Sequence, residues 1–248
     1  MRDLTNKYVV VTGAGKGIGR AIAERFLAEE AAGVAIFEWD LELAQATAKE
    51  LDPTGKKVIA FKCNVADSDM VKAAVDGTIE AFGRIDVLVN NAGITRDRIV
   101  HKMTDAEWHA VIDVNLNGVF NTCKYIVPMM RDQEYGSIVN ISSTSLMGNP
   151  GQANYAATKA ALQGFTRTLG KELARKNVRM NCVAPGFVDT EMMRAVGEEI
   201  LNAKLRNTPA QRLCDPDEIA SVVAFLATDD ASWVNGQTIF ASGGSIGF

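Results

Sequence analysis

The sequence predicts a doubly wound α/β fold, a seven-stranded parallel sheet with helices on both faces. Three observations predict it. Short, almost wholly apolar runs alternate with helical patterns along the whole chain. A glycine-rich turn closes the first of these runs, and the residues just after most of the others are small or polar. Strands apolar throughout are buried on both faces, as in a parallel sheet covered by helices.

The elements follow in order. Val9-Val10-Val11 is a short β-branched run that enters the turn Thr12 to Gly19. The helical pattern Ile18 to Glu29 leads to an apolar run from Val34 to Phe37, and the pattern Leu41 to Leu51 to a run from Val58 to Cys63. The helix predicted over Asp69 to Phe82 precedes a strand at Val87 to Val89. A long helix over Asp105 to Met130 precedes one at Ile138 to Ile141. Tyr155 to Arg175 reads as a helix, Val178 to Val183 as a strand, Pro216 to Ala227 as a helix and Thr238 to Phe240 as the last strand. Two helix starts are well marked. Thr104 and Glu107 have the spacing of a capping box. Asp215-Pro216-Asp217-Glu218 offers an N-cap, a Pro at the first helical position and acids in the first turn.

Bulk properties set limits on function. The 248 residues, 47% hydrophobic, suit one domain over 1–248, since no linker or charge block divides them. With 26 basic and 30 acidic residues the net charge is −4, which argues against a nucleic-acid binder. Cys63, Cys123, Cys182 and Cys214 lie far apart and read as free thiols, and two histidines in one helical region make a metal site an unpromising reading. Met1 to Lys7 lacks a signal-peptide core and no apolar run nears the ~20 residues of a membrane span. A cytoplasmic protein is expected.

In such a sheet ligands bind beyond the carboxyl ends of the strands, where the strand order reverses. The turn Gly13-x-x-x-Gly17-x-Gly19, with Gly15, Lys16 and Ile18 between, would let a diphosphate approach the backbone and the free amides of the next helix. Tight strand–helix packing also needs glycine; the turn's place after the first strand favours a dinucleotide. Glu38 ends the second strand, where a carboxylate accepts hydrogen bonds from both ribose hydroxyls and repels a 2′-phosphate, which favours NAD(H). Lys16 could pair with that phosphate, which keeps NADP(H) open. Either charge could also be ordinary surface.

Tyr155-x-x-x-Lys159 places a phenol and an ammonium on one face of a helix. The ammonium would lower the phenol's pKa from roughly 10 toward working pH. Ser142, thirteen residues upstream at a strand end, could hold a substrate carbonyl or simply turn the chain. Asn115, polar within a long helix, could be a satisfied core residue, a kink, or the holder of a water in a proton relay.

These residues together resemble the short-chain dehydrogenase/reductase family, and the match covers nearly all of the chain. It rests on the Thr12 to Gly19 loop, Asn90-Asn-Ala-Gly93, Asn115, Ser142, Tyr155-x-x-x-Lys159 and Pro185-Gly186 with Thr190. The resemblance implies a Rossmann-type domain, a catalytic tetrad of Asn115, Ser142, Tyr155 and Lys159, and hydride transfer between nicotinamide and a carbonyl or secondary alcohol. It implies Asn64 and Val65 beside the adenine, and Asn91, Ala92 and Gly93 along the cofactor groove. Pro185, Gly186, Val188 and Thr190 would lie at the nicotinamide, and Tyr155 and Lys159 would contact the cofactor as well. A substrate lid is expected at about 190–212, lined by Met192 and Met193, and a homotetramer is the family expectation.

Within the family, Gly93 to Asp97, Met147 to Tyr155 and Ala184 to Thr190 resemble reductases of 3-oxoacyl thioesters on coenzyme A or an acyl carrier protein. Glu38 and the acids in Arg131-Asp-Gln-Glu134 favour instead an NAD-dependent dehydrogenase of another secondary alcohol, such as a hydroxysteroid or cyclic alcohol. A cofactor-binding scaffold without turnover would usually lack Tyr155 or Lys159, and both are present.

Overall fold

The computed structural model describes residues 4–194, 197–206 and 208–245. Strands β1 (Tyr8–Thr12), β2 (Gly33–Glu38), β3 (Val58–Lys62) and β4 (Val87–Asn90) alternate with helices α1 (Gly17–Ala28), α2 (Leu41–Leu51) and α3 (Ser68–Phe82). Helices α4 (Asp105–Ile112) and α5 (Gly118–Gln133) lead to β5 (Gly136–Ile141), α6 (Ala153–Leu173) and β6 (Val178–Pro185). The chain continues through α7 (Glu191–Arg194), α8 (Glu198–Arg206) and α9 (Pro216–Ala227) to β7 (Thr238–Ala241). The strands pair in parallel in the order β3-β2-β1-β4-β5-β6-β7. From β1 the chain winds outward to β3 and then returns to lay β4 on the other side of β1. The crevice between the ends of β1 and β4 is therefore the switch point.

Side-chain alternation along the strands builds two cores. Val9 and Val11 of β1 join Ile22 and Phe26 of α1 and Ile219 and Val223 of α9 on one face. Val10, between them, joins Val75 of α3, Ile126 of α5 and Leu162 of α6 on the other. A buried polar chain ties the central strands together. Asn90 on β4 donates to Asn140 on β5 at 2.9 Å, and Asn140 donates to Thr166 on α6 at 2.9 Å. Thr122 on α5 donates to Asn90 at 2.7 Å. The strand ends that carry the candidate site are thus held in fixed register. Both predicted capping boxes are present, at Thr104/Glu107 and Asp215/Glu218.

One predicted element differs. The expected helix from Asp105 to Met130 is split by a π turn at Asp113–Asn117, where the Gly118 amide reaches back to the Asp113 carbonyl. Periodicity cannot register this one-residue expansion, because apolar side chains resume their face immediately after it. A Cβ on Gly118 would lie 2.6 Å from Val65, so α5 starts in close contact with the segment after β3. Asn121 secures that approach by donating to the Val65 carbonyl at 2.9 Å.

The expected lid contains α7 and α8; residues 195–196 and 207, and the Met192 side chain, lie outside the described part. Among the described residues no helix is long and apolar enough to cross a membrane, and no group of three His, Cys, Asp or Glu side chains could hold a metal ion.

Candidate active site

A cavity of about 910 Å³ opens over the carboxyl ends of the strands at the switch point. Its wall brings together most of the residues singled out from the sequence. They are Gly13, Lys16, Gly17 and Ile18 of the glycine loop, with Glu38, Asn64 and Val65 beyond it. Asn91, Ala92 and Gly93 line the middle, and Tyr155, Lys159, Pro185, Gly186, Val188 and Thr190 the far end. Gly15, Gly19 and Asn115 do not reach the wall; they shape it from behind.

The glycine loop is a cradle. Gly13 has φ +64°, and a Cβ there would lie 2.9 Å from Ala92 Cα. A Cβ on Gly19 would lie 2.3 Å from the Gly13 carbonyl oxygen, so that glycine lets α1 start hard against the loop. Lys16 at the N-cap places no side-chain acceptor on the first amides of α1, which leaves them and the positive end of the helix dipole for an anion. Asn91 acts on this cradle mainly as a clamp. Its side-chain amide donates to the Thr12 and Gly13 carbonyls at 2.9 and 3.0 Å, and Thr12 Oγ1 accepts from the Asn91 and Ala92 amides at 3.0 Å.

The Glu38 carboxylate faces the same loop. One oxygen accepts from the Gly15 amide at 3.1 Å and the other from the Trp39 amide at 2.9 Å. Trp39, not marked by the sequence reading, lines the cavity beside it and is 64% exposed, with the Lys62 ammonium 5.9 Å from its ring centre. Lys16 extends to Glu191 at the start of α7, its Nζ 2.9 Å from Oε2. A loop with uncapped amides, a carboxylate and an exposed indole in one cavity of ligand size fits a dinucleotide.

At the other end, Tyr155 and Lys159 share one face of α6, the ammonium 5.5 Å from the phenol ring centre. Lys159 Nζ donates to the Ile141 carbonyl at 2.6 Å. Burial pulls the Lys159 ammonium down to about 8. Burial raises the Tyr155 phenol above its ordinary value, a hydrogen bond with Ser143 opposes the rise, and the charge of Asp97 adds to it. The expected lowering of the phenol by Lys159 is not found here; a dry site penalises the phenolate and the phenol is raised instead.

Ser142 and Ser143 both line the cavity, but their hydroxyls are placed differently. Ser142 is buried, at 3% exposure, and its hydroxyl donates to the Lys159 main-chain carbonyl at 2.8 Å. Its amide still bonds the Val183 carbonyl at 2.7 Å, continuing the sheet ladder. Ser143 is extended (φ −166°, ψ 154°), so its side chain turns to the opposite side, into the cavity and onto Tyr155. Counting thirteen residues back from Tyr155 selects Ser142; the hydroxyl that clears the sheet is one residue later.

Asn115 is buried beneath the same region at the π turn. Its Oδ1 accepts from the Ile94 amide at 2.9 Å, and its Nδ2 donates to the Ile94 carbonyl at 3.0 Å and to Thr158 at 3.4 Å. The side chain is therefore a satisfied amide that fixes the segment after β4. Three further residues escaped the sequence reading. Asn149 donates to Gln152 at 2.8 Å, and Gln152 donates to Asp97 at 2.9 Å, tying the loop before α6 to the segment after β4 across the cavity mouth.

Comparison with known proteins agrees with this fold. A family model described as enoyl-(acyl carrier protein) reductase matches residues 13–245. The chain is 45% identical over 244 residues to a Thermotoga maritima protein named 3-oxoacyl-(acyl-carrier-protein) reductase FabG, covering 98% of this chain and 99% of the relative. A protein of the same name from Staphylococcus aureus is 45% identical over 240 residues, 96% of this chain and 97% of the relative. The crystal structure of levodione reductase superposes with a TM-score of 0.93 at 35% identity, covering 99% of this chain and 100% of that one.

Proposed function

The chain belongs to the short-chain dehydrogenase/reductase family and is an NAD(P)-dependent oxidoreductase; from that premise we propose that it reduces 3-oxoacyl thioesters of coenzyme A or an acyl carrier protein, with NAD(H) favoured. The convergence of Tyr155, Ser143 and Lys159 on one end of the cavity carries the reading. The names and full-length similarity of the relatives support the thioester substrate.

When bound, the nicotinamide supplies the hydride that adds to the substrate's carbonyl carbon. Tyr155 gives its proton to the carbonyl oxygen, or takes it from the alcohol in reverse. The serine role passes from Ser142 to Ser143, whose hydroxyl faces Tyr155 and would polarise the same oxygen. Lys159 supplies positive charge beside the phenol and would hold the nicotinamide ribose. Asn115 fixes Ile94, and with it the segment that bounds the substrate end. Gly13, Gly17 and the α1 amides would hold the diphosphate. Glu38 would hold the adenosine ribose, with Trp39 beside the adenine. Val188, Thr190 and Met193 would close the nicotinamide end as part of a lid spanning about 190–212 on a single domain.

A second reading, an NAD-dependent dehydrogenase of another secondary alcohol, draws on Glu38 and on the end of α5. There Glu134 engages Lys176 at 2.8 Å, which removes one cation from a surface that an acidic carrier would need. Arg131 and Arg175 nearby remain exposed and make no ion pair among the described residues. Exposed Ile99, Val100, Trp108 and Phe120 around α4 and α5 support homo-oligomerisation, for which a tetramer in the cytoplasm is the family-based expectation.

The test is a panel read at the nicotinamide absorbance. Acetoacetyl-CoA, an acyl-carrier thioester, a ketosteroid and a cyclic ketone are each offered with NADH and NADPH. The thioesters are expected to give the highest kcat/KM. A ketosteroid or cyclic ketone turned over about tenfold better than both thioesters would replace the first reading with the second.

A further inference from the structure

We propose that Glu191 is a second determinant of cofactor choice: it engages Lys16 and so withholds that ammonium from a 2′-phosphate. The inference rests on the reading of NAD(H) as the favoured cofactor and names a residue that enforces it.

Lys16 is the one cation within the glycine loop, and it lines the cavity together with Glu38 and Trp39. An ammonium at that place would ordinarily recruit a phosphate on the adenosine ribose. Here Nζ lies 2.9 Å from Glu191 Oε2, contributed from 175 residues further along the chain. Glu38 and Asp40 act on the same ammonium and, with Glu191, hold its pKa above the ordinary lysine value. Three carboxylates around one ammonium leave the locality negative. A 2′-phosphate would have to displace Glu191 and then remain near Glu38 and Asp40. A 2′-hydroxyl meets no such penalty.

Both partners are largely exposed, with side-chain exposures of 66% and 78%. The pair is therefore a modest determinant, worth about two- to fivefold in affinity. Glu191 acts through Lys16, so it positions a charge and takes no part in the reaction. Its place at the first residue of α7, directly after Thr190, also means that the same contact joins the glycine loop to the start of the lid.

The experiment measures dissociation constants of NADP⁺ and NAD⁺ by titration calorimetry on the full-length protein and on Glu191→Gln, Lys16→Met and the double variant. Glu191→Gln is expected to tighten NADP⁺ about two- to fivefold while NAD⁺ changes by less than about 1.5-fold. In the double variant the gain should vanish, and in Glu191→Gln it should shrink at high salt. An unchanged NADP⁺ affinity in Glu191→Gln overturns the proposal. So does a gain that survives loss of Lys16. The wild-type ratio tests the underlying reading separately: tighter binding of NADP⁺ than NAD⁺ there removes the NAD preference, whatever the variants do.

Discussion

Ser142 donates its hydroxyl to the main-chain carbonyl of Lys159 at 2.8 Å, which fastens α6 to the end of β5. A hydroxyl so engaged is committed to the protein, whereas that of Ser143 meets Tyr155, the basis for proposing it as the one that faces the substrate. Ser143→Ala is therefore expected to lower kcat by about 10²- to 10³-fold, the usual cost of a lost oxyanion donor. Ser142→Ala should keep kcat within about tenfold and lose roughly 1 kcal/mol of stability. Steady-state kinetics and denaturant melts on the two variants separate the roles. The reverse pattern would return the carbonyl-holding role to Ser142.

Tyr155→Phe keeps the ring in place and removes only the proton that is transferred. Turnover should fall by at least about 10²-fold while NADH still binds within a few-fold of wild type. Trp39, exposed beside Glu38, gives a binding signal that does not need turnover, because its emission should quench as the adenosine end fills. Comparable kcat in the variant would remove Tyr155 from the mechanism.

Glu38 holds the loop as well as facing the ribose, since it accepts from the Gly15 amide at 3.1 Å. Glu38→Ala should therefore weaken NAD⁺ directly and leave one loop amide for a phosphate. The NADP/NAD ratio of kcat/KM is expected to rise by about tenfold or more, on the scale of a charge-assisted hydrogen bond. A ratio that does not move would assign cofactor choice elsewhere.

Lys159 and Tyr155 are both pushed toward their neutral forms by burial. For carbonyl reduction Tyr155 must carry its proton, and its raised pKa keeps that proton bound through the neutral range. The Lys159 charge is present below about 8 and is lost as pH rises through it. Reduction kcat/KM, which reports the free enzyme, should therefore be level at lower pH and decline through about 8. Stability moves in the other sense. Between about 8 and the ordinary lysine value of 10.5 the unfolded chain binds the Lys159 proton more tightly, so this group's contribution to stability rises with pH. The Tm difference between Lys159→Met and wild type should favour the variant most at neutral pH and shrink toward alkaline pH. A pH-independent difference would show that Lys159 is not buried as a charge.

The fold was legible because strands buried on both faces read as apolar runs and because capping chemistry is local. Thr104/Glu107 and Asp215/Glu218 state their helix starts within four residues. The glycine loop and the Tyr155–Lys159 pair were legible for the same reason, since their spacing is set by one turn or one helix. What was hidden depended on side-chain direction and on contacts between distant segments. Which serine of the pair meets Tyr155 was hidden because spacing from Tyr155 ignores which way the chain leaves β5. The bond between Gln152 and Asp97 joins residues 55 apart, and that between Lys16 and Glu191 joins residues 175 apart, so no local pattern announces either. The π turn at Asp113–Asn117 left no trace in the apolar period.

That π turn makes Asn115 the last test. Its amide satisfies both main-chain groups of Ile94, at 2.9 and 3.0 Å, from a buried position. Removing it should leave a part-buried N–H and C=O without their partner, at about 1–2 kcal/mol each. Asn115→Ala is expected to lose about 2–4 kcal/mol of stability together with activity, while dinucleotide affinity, governed at the other end of the cavity, stays within a few-fold. Asn115→Asp discriminates further. It keeps an acceptor for the Ile94 amide but sets a second oxygen against the Ile94 carbonyl, so it should recover part of the stability and little of the activity. If instead the side chain served only a proton relay, Asn115→Ala would melt like wild type and lose only turnover. Paired melts and single-turnover rates decide between a residue that builds the substrate wall and one that passes protons through it.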